Sequence, residues 1–276
     1  MDRDRTSISP SQLYDRLGTA RAPIVLDVRR AADIAPADRP IVSARRRDPD
    51  EVARWGRDLP AGRSVVVYCV HGHQVSQGVA AALRAAGIDA AFLDGGIAGW
   101  TAAGLPTRRS VGATPGKWVT RERPKVDRIA CPWLIRRFID PEAEFIYVPA
   151  VQVLVVASET GATPYDIAGV EFGHCADDGA DDGGERCSFD AIVRVYDIHD
   201  PALDRLATIV RGSDTSRPGL APQCPGLSAI SYGLSANFSD DHEQLAHGMV
   251  MYDALYAWCR SRTAETAAAA TTRSVA

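Results

Sequence analysis

The hydrophobic and polar positions of the first hundred residues predict short buried strands around one helix. Segments 24–28 and 64–69 are apolar, β-branched or aromatic, as buried strands are. Segment 76–86 is alanine-rich with apolar residues at helical spacing, and Gly87 follows where a helix ends. Segment 90–93 is a further strand. Strand, helix and strand at this spacing form a βαβ unit, which implies a parallel sheet with a right-handed crossover.

A change of composition divides the chain. Segment 107–116 has no apolar periodicity and is rich in Gly, Pro, Ser and Thr, which is typical of an interdomain linker. The tail after residue 262 is of low complexity, and we expect it to be frayed and disordered. The predicted organisation is a first domain at 1–107, a linker at 108–116, a second domain at 117–262 and a tail at 263–276.

The second half predicts mostly helices. Its elements are a helix at 132–139, a strand at 145–148 and helices near 203–211 and 242–262, with an acidic, glycine-rich loop at 175–186. The predicted fold class is therefore α/β, with a parallel sheet and flanking helices at the N-terminus, followed by a mainly helical α+β domain.

Composition and charge narrow the functional classes. The 276 residues are 46% hydrophobic and 24% charged, and no apolar run is long enough to span a membrane. The N-terminus lacks the apolar core of a signal peptide, so we expect a cytoplasmic protein whose six cysteines are thiols or metal ligands. A net charge of −4 argues against general nucleic-acid binding.

Cys69 is the first candidate catalytic residue. It closes a predicted strand and precedes a helix by one short loop, where open α/β sheets bind their ligands. Helix N-termini lower the pKa of a thiol from about 8.5 to roughly 3.5–7.5 and also attract oxyanions. The alternative, a buried cysteine without a chemical role, is common at strand ends.

Three ordered motifs in residues 6–107 resemble the rhodanese family. They are Leu26-Asp27-Val28-Arg29, then Tyr68-Cys69-Val70-His71-Gly72-His73, and finally Leu93-Asp94-Gly95-Gly96-Ile97-Ala98-Gly99-Trp100 with Gly104-Leu105-Pro106. The resemblance implies that Cys69 accepts a sulfane sulfur from a small donor such as thiosulfate and passes it on as a persulfide, without a cofactor. It also implies that backbone N–H groups cradle the persulfide, in a substrate-binding loop of Val70, His71, Gly72, His73, Gln74 and Val75.

The length of this loop raises a second possibility. Counted to the helix, the loop is one residue longer than the usual six-residue sulfurtransferase loop and so resembles that of rhodanese-like phosphatases and arsenate reductases. Those enzymes carry Arg at the seventh loop position, where this chain has Val75. Since phosphoryl transfer needs that charge, we exclude a phosphatase. His71 and His73 would tune the thiolate or the donor anion, or are exposed imidazoles without a role.

A basic stretch opens the second half and is the candidate oxyanion site. Residues 117–137 hold seven basic and two acidic residues, with Trp118 and Trp133 between them. Arginine and lysine suit oxyanions, but a solvated face with surface ion pairs is an equal alternative, and nucleic acid is a weaker one. The residues predicted to bind the oxyanion are Lys117, Arg121, Lys125 and Arg128.

Scattered metal-ligand residues follow. We expect His174 and Cys187, brought together by the acidic loop, to be the metal ligands, and zinc or iron would accept such a set. His242 and His247 lie five positions apart, on different helix faces, which excludes a metalloprotease motif. The other residues considered as ligands are Cys175, Glu185, Asp214 and Glu243.

The second half also resembles the chromate-resistance (ChrB-type) domain. The resemblance rests on Lys117-Trp118-Val119-Thr120-Arg121, on the long motif from Asp127 to Asp140 (DRIACPWLIRRFID), and on shorter motifs at Phe172-Gly173-His174, Cys187-Ser188-Phe189-Asp190 and Met251-Tyr252-Asp253-Ala254-Leu255-Tyr256. It implies a role in the chromate response. Two hypotheses follow: a sulfurtransferase that serves chromate detoxification, or a chromate- or metal-sensing protein whose rhodanese-like loop only binds an oxyanion or senses redox state.

Overall fold

The computed structural model describes residues 6–35, 37–111, 116–175 and 184–275, with side chains described as far as residue 265. Two compact units form, the first from Met1–Gly112 and Arg137–Pro141, the second from Ala113–Arg136 and Glu142–Ala276. Residues 176–183, most of the predicted acidic loop, lie outside the described residues.

A parallel sheet forms the centre of the first unit. Its strand order is β1-β5-β4-β2-β3, and every neighbouring pair is parallel. This confirms the predicted α/β fold class. The strands are β1 (Ser7–Ile8), β2 (Ile24–Asp27), β3 (Arg45–Arg46), β4 (Val65–Tyr68) and β5 (Ala90–Leu93).

Short helices flank this sheet, namely α1 (Pro10–Tyr14), α2 (Val52–Trp55), α3 (Gln74–Ala85) and α4 (Gly96–Ala102). Helix α3 begins two residues before the predicted start, directly after His73. Its buried Val79 and Leu83 pack on Val65 and Val67 of the central strand β4. The helix therefore starts at the carboxyl end of β4, which places the Cys69 loop between them.

The second unit contains a small parallel sheet of order β7-β6-β8, made of β6 (Lys117–Arg121), β7 (Glu144–Val148) and β8 (Thr163–Pro164). Strand β6 was not predicted, because basic residues occupy both of its ends. Its three central residues, Trp118, Val119 and Thr120, are fully buried, as expected for a strand with neighbours on both sides. Trp118 and Trp133 are both fully buried, so they are core residues and not part of a basic surface.

Helices make up most of the second unit, as predicted. The predicted helix at 132–139 is shifted: α5 (Asp127–Leu134) starts earlier, and a wider π-helical turn, Ile135–Ile139, follows it. The predicted start was wrong because proline is usually found at the beginning of a helix, whereas Pro132 lies inside this one. The remaining helices are α6 (Val153–Thr160), α7 (Ser188–Val195), α8 (Pro201–Asp214), α9 (Cys224–Asn237) and α10 (Asp241–Val275).

The long helix α10 extends into segment 263–275, where the composition predicts a frayed tail. Fraying concerns the stability of this last part of the helix, so it stays a prediction. Within the described residues, no helix is both long and apolar enough to cross a membrane.

Candidate functional sites

The first candidate site is the loop that carries Cys69 at the carboxyl end of β4. The Cys69 side chain is buried, and its Sγ atom lies 3.2 Å from the hydroxyl oxygen of Ser76 in the first turns of α3. Backbone N–H groups of His71, His73 and Ser76 also face the sulfur. The loop thus curls around the sulfur atom and directs several hydrogen-bond donors at it.

These donors favour the thiolate form of Cys69. Burial alone would raise the pKa of the thiol, but the hydroxyl and backbone N–H of Ser76 and the backbone N–H groups of His73 and His71 outweigh it and lower the pKa. Because the thiolate is the nucleophilic form of cysteine, these contacts favour the form of Cys69 that is capable of nucleophilic attack.

Glycines of the Leu93–Gly96 motif hold the loop in this shape. The first N–H groups of α4 bind it, since Ile97 donates to the carbonyl of Cys69 and Ala98 to that of Val70, both at 3.0 Å. A Cβ atom on Gly96, whose φ is +58°, would lie 2.6 Å from the Val70 carbonyl oxygen and would also strike the carbonyl of Cys69. The approach of the two backbones therefore requires glycine here.

Gly72 has the same role on the other side of this contact. Its φ is +72°, and a Cβ atom there would lie 2.5 Å from the carbonyl oxygen of Leu93. The side chain of Gln77 donates to the Gly72 carbonyl at 3.0 Å, which fixes the loop to helix α3.

The side chains of the predicted substrate-binding loop point to different surroundings. His71, His73 and Gln74 are exposed, and the two imidazole rings lie 5.9 Å apart. Val75 is partly buried and packs on the core of the sheet. Ser76 was missed, because the prediction ended the loop at Val75.

A buried ion pair fixes the neighbouring strand end. Arg29 binds Asp27 at 2.7 Å and Asp38 at 2.9 Å, and the side chains of Arg29 and Asp27 are each only 5% exposed. Tyr68 immediately precedes Cys69 in the chain, and its hydroxyl accepts a hydrogen bond from the Ile41 backbone N–H. Burial and the charge of Asp27 raise the pKa of Tyr68 well above its ordinary value, so this hydroxyl stays protonated.

The second candidate site is a polar cluster inside the second unit. It contains Asp127, Asp166, His174 and Asp214, and one possible ligand atom from each lies within 4.8 Å of all the others. The Nε2 atom of His174 is 2.9 Å from Asp214, 3.4 Å from Asp166 and 3.8 Å from Asp127. Its Nδ1 atom is 2.9 Å from the Glu185 carboxylate.

Asp127 is held by hydrogen bonds from the N-terminus of helix α7. It is the first residue of α5 and only 1% exposed. Backbone N–H groups of Ser188 and Phe189, at the N-terminus of α7, donate to its two oxygens at 2.7 and 3.1 Å, and the Cys131 thiol donates at 3.2 Å. The preceding Val126 has a φ of +35°, a strained conformation for a β-branched residue.

Asp166 is held by arginines of the predicted basic stretch. Arg121 and Arg128 bind its Oδ2 atom at 2.9 and 3.1 Å, and the Ser188 hydroxyl donates to Oδ1 at 3.3 Å. Burial would raise the pKa of this carboxyl, but hydrogen bonds from His174 and Arg121 lower it. Arg121 and Arg128, predicted to bind an oxyanion, therefore already bind a carboxylate of the protein.

The neighbouring groups of the cluster raise the pKa of two of its members, His174 and Asp127. Hydrogen bonds to Asp166 and then Asp214 raise the pKa of His174 to about 11. Burial, followed by the charges of Asp214 and Asp166, raises the pKa of Asp127 well above its usual range. Both shifts favour the protonated form of the group and so reduce the negative charge of the cluster, and a positive ion among the carboxylates would have the same effect.

The other predicted residues lie outside this cluster. The Sγ atom of Cys187, the predicted partner of His174, lies 3.4 Å from Asp190 at the start of α7. His242 and His247 contact the rings of Tyr147 and Phe238. Lys125 lies over the ring of Tyr232 at 4.6 Å, and Lys117 is exposed at the start of β6. The structure thus brings together three of the residues considered as ligands, His174, Glu185 and Asp214, with two that were not, Asp127 and Asp166.

Comparisons with known proteins agree with this division into two parts. Residues 118–259 match the family model of the ChrB C-terminal domain, and residues 9–103 match that of the rhodanese-like domain. A curated relative, Protein ChrB of Cupriavidus metallidurans, is 30% identical over 162 residues, which cover 58% of this chain and 45% of that protein. The chain thus spans less than half the length of the curated relative that it matches.

Two solved structures resemble the first part. A rhodanese-related protein from Thermoplasma volcanium is 26% identical, with 37% of this chain and 95% of that chain covered and a TM-score of 0.32. A thiosulfate sulfurtransferase from Pseudomonas aeruginosa is 28% identical, with 38% and 20% covered and a TM-score of 0.32. At these TM-scores they add nothing to the fold given by the sheet and by the family model.

Proposed function

The chain belongs to the ChrB family, since a ChrB C-terminal domain takes up just over half of its length, and we propose that the rhodanese-like domain before it is a sulfurtransferase with a persulfide on Cys69. The observation that carries the proposal is the convergence of the Ser76 hydroxyl and three backbone N–H groups on the Cys69 sulfur. Such donors stabilise both a thiolate and a persulfide anion.

The proposed reaction transfers one sulfur atom in two displacements. The Cys69 thiolate attacks the sulfane sulfur of thiosulfate, the S–S bond of the donor breaks, and sulfite leaves with the electron pair. A nucleophile then attacks the outer sulfur of the persulfide, and the thiolate of Cys69 leaves with the electron pair. Thiol and persulfide alternate without a metal, a cofactor or an external oxidant.

Turnover of thiosulfate with cyanide as the acceptor tests this proposal. We expect the full-length protein to form thiocyanate and sulfite, and Cys69→Ser to reduce the rate to that of the uncatalysed reaction. The matched control is Cys175→Ser, because Cys175 is the partly exposed cysteine in a protein whose other five cysteines are buried. This control should retain the rate of the unsubstituted protein.

Two results would contradict the proposal. Thiocyanate formation that persists in Cys69→Ser would place the chemistry elsewhere. A folded protein without any turnover would leave the loop as an oxyanion-binding or redox-sensing site, and the sensor hypothesis would then be favoured.

We propose further that the two domains act together in the response to chromate. Chromate is a divalent tetrahedral oxyanion, so the N–H groups of the Cys69 loop and the basic residues Lys117, Arg121, Lys125 and Arg128 suit the same kind of ligand. Since Arg121 and Arg128 bind Asp166, the two lysines become the principal candidates for chromate contact.

Chromate tolerance of cells tests the link between the two domains. A strain that lacks this protein should regain tolerance with the unsubstituted chain and not with Cys69→Ser. Full tolerance with Cys69→Ser would separate the chromate response from sulfur transfer. Weaker chromate binding by purified Lys125→Gln than by the unsubstituted protein would identify the lysine as a contact.

A further inference from the structure

We infer that Asp127, Asp166, His174 and Asp214 form a binding site for one divalent metal ion with three carboxylate ligands and one imidazole ligand. This inference does not depend on sulfur transfer, because all four residues lie in the second unit. It replaces the predicted pairing of His174 with Cys187 by a site in which carboxylate oxygens are most of the ligand atoms.

The orientation of His174 is the first argument. Its Nδ1 atom lies 2.9 Å from the Glu185 carboxylate, so Nδ1 carries a proton and donates it. The other nitrogen, Nε2, then faces three carboxylates, at 2.9, 3.4 and 3.8 Å. One proton on Nε2 can be donated well to a single acceptor, whereas a metal ion accepts electron pairs from all four groups. A carboxylate behind a ligating histidine is the usual arrangement in metal sites.

The spacing of the ligand atoms is the second argument. Metal–ligand bonds of about 2.1–2.2 Å separate adjacent ligands by about 3.0–3.6 Å in octahedral or tetrahedral geometry. The distances from Nε2 to the three carboxylates, 2.9–3.8 Å, have this size. All four ligand atoms lie within 4.8 Å of one another, so a metal ion would draw the carboxylates closer together or hold two of them on opposite sides of an octahedron.

The surroundings of the carboxylates are the third argument. Asp127 has backbone donors from α7, and Asp166 has Arg121 and Arg128, so both are held rigidly in the protein. The oxygens that face His174, Oδ2 of Asp127 and Oδ1 of Asp166, also accept hydrogen bonds from the backbone N–H and the hydroxyl of Ser188, which orients both carboxylates towards the histidine. Asp214 faces the same nitrogen from the C-terminal end of α8.

The donor set indicates the class of metal. Three hard carboxylates and one imidazole favour Mn²⁺ or Fe²⁺, while thiolates would have favoured zinc and an all-oxygen site Mg²⁺ or Ca²⁺. Mn²⁺ is the practical probe, because it is stable in air and its paramagnetic resonance signal in solution disappears on binding.

Titration of the full-length, chelator-treated protein with Mn²⁺ tests the inference. We expect one ion per chain, with binding at least tenfold weaker in Asp214→Asn and in His174→Gln. Glu185→Gln should weaken binding by about 10- to 100-fold, as loss of a partner behind a ligand does. Circular dichroism and thermal unfolding in the absence of metal verify that each variant is folded.

Two controls separate this site from the alternatives. Asp204→Asn makes the same chemical change at an exposed position of the same helix α8 and should leave Mn²⁺ binding unchanged. Cys187→Ser and Cys69→Ser should also bind normally. No saturable Mn²⁺ binding, or unchanged binding in both Asp214→Asn and His174→Gln, would overturn the inference and leave a salt-bridge network around a protonated His174. Loss of binding in Cys187→Ser would overturn it in favour of the pairing of His174 with Cys187.

Discussion

Replacement of Ser76 by alanine tests how the loop activates Cys69. The Ser76 hydroxyl lies 3.2 Å from the sulfur and 3.3 Å from the His73 carbonyl oxygen. It has one proton, which it donates to the sulfur when Cys69 is a thiolate and to His73 when Cys69 is a thiol. The substitution therefore removes a donor mainly from the thiolate form.

The size of the effect follows from this exchange. A hydrogen bond to a charged group contributes about 1.5–3 kcal/mol, but the bond to His73 is lost in the thiol form and offsets part of it. Three backbone N–H groups remain in place around the sulfur. We expect the thiolate to become less favourable by about 1.4 kcal/mol, which lowers the thiolate fraction about tenfold below its pKa.

Alkylation with iodoacetamide measures the thiolate directly. The rate at Cys69 is followed by mass spectrometry of the Cys69 peptide over a range of pH, in the unsubstituted protein and in Ser76→Ala. Cys175, on the second unit, is the internal control. Ser64→Ala is the matched variant, because Ser64 precedes β4 at the end opposite to Cys69.

A clear result would refute the reasoning. If Ser76→Ala is folded and its Cys69 peptide reacts at the same rate at every pH as in the unsubstituted protein, Ser76 does not stabilise the thiolate. A rate that falls equally in Ser64→Ala would show a general loss of structure and would equally contradict the assigned role.

Three further predictions concern the first unit. Gly96→Ala should abolish sulfur loading in a mass-spectrometric assay, because its Cβ would push the Cys69 loop away. Its control is Gly104→Ala, which has a φ of +65° and open space around it and should keep sulfur loading at a cost of only about 1–2 kcal/mol of stability. Equal loading in the two variants would contradict the role of Gly96. Arg29→Leu should lower the free energy of unfolding in urea by about 3–5 kcal/mol, because it leaves Asp27 buried without its partner, and an unchanged midpoint would refute that role. The rate of sulfur loading should rise with pH and level off below the pKa of an ordinary thiol, since the thiolate is the reactive form and the loop lowers the pKa of Cys69; a rate that falls over this range would refute it.

The parts of the fold that were predicted correctly are those that local sequence determines. The strand before Cys69 is a run of β-branched residues, and Gly87 marks the end of α3, so both elements could be placed within two residues. Strand β6 was missed because its basic ends concealed three buried residues at its centre. The start of α5 was wrongly predicted at Pro132, because proline is commoner at the beginning of a helix than inside it.

The contacts of both sites depend on residues far apart in the chain. The Cys69 loop is held in place by Ile97 and Ala98 of α4, more than 20 positions away, a constraint visible in the sequence only as Gly95 and Gly96. The polar cluster joins Asp127, Asp166, His174 and Asp214 from four separate segments. Asp127 lies in the motif shared with the ChrB-type domain. That motif was the signal in the sequence that could have pointed to Asp127 and Asp166, the two carboxylates that were not predicted.

The central claim, that Cys69 carries a persulfide, is tested most directly by intact mass spectrometry before and after addition of thiosulfate. We predict that the unsubstituted protein gains the mass of one sulfur atom, that cyanide removes it, and that Cys69→Ser gains none. An unsubstituted protein that is folded and gains no sulfur, or a Cys69→Ser variant that gains as much, would contradict the account.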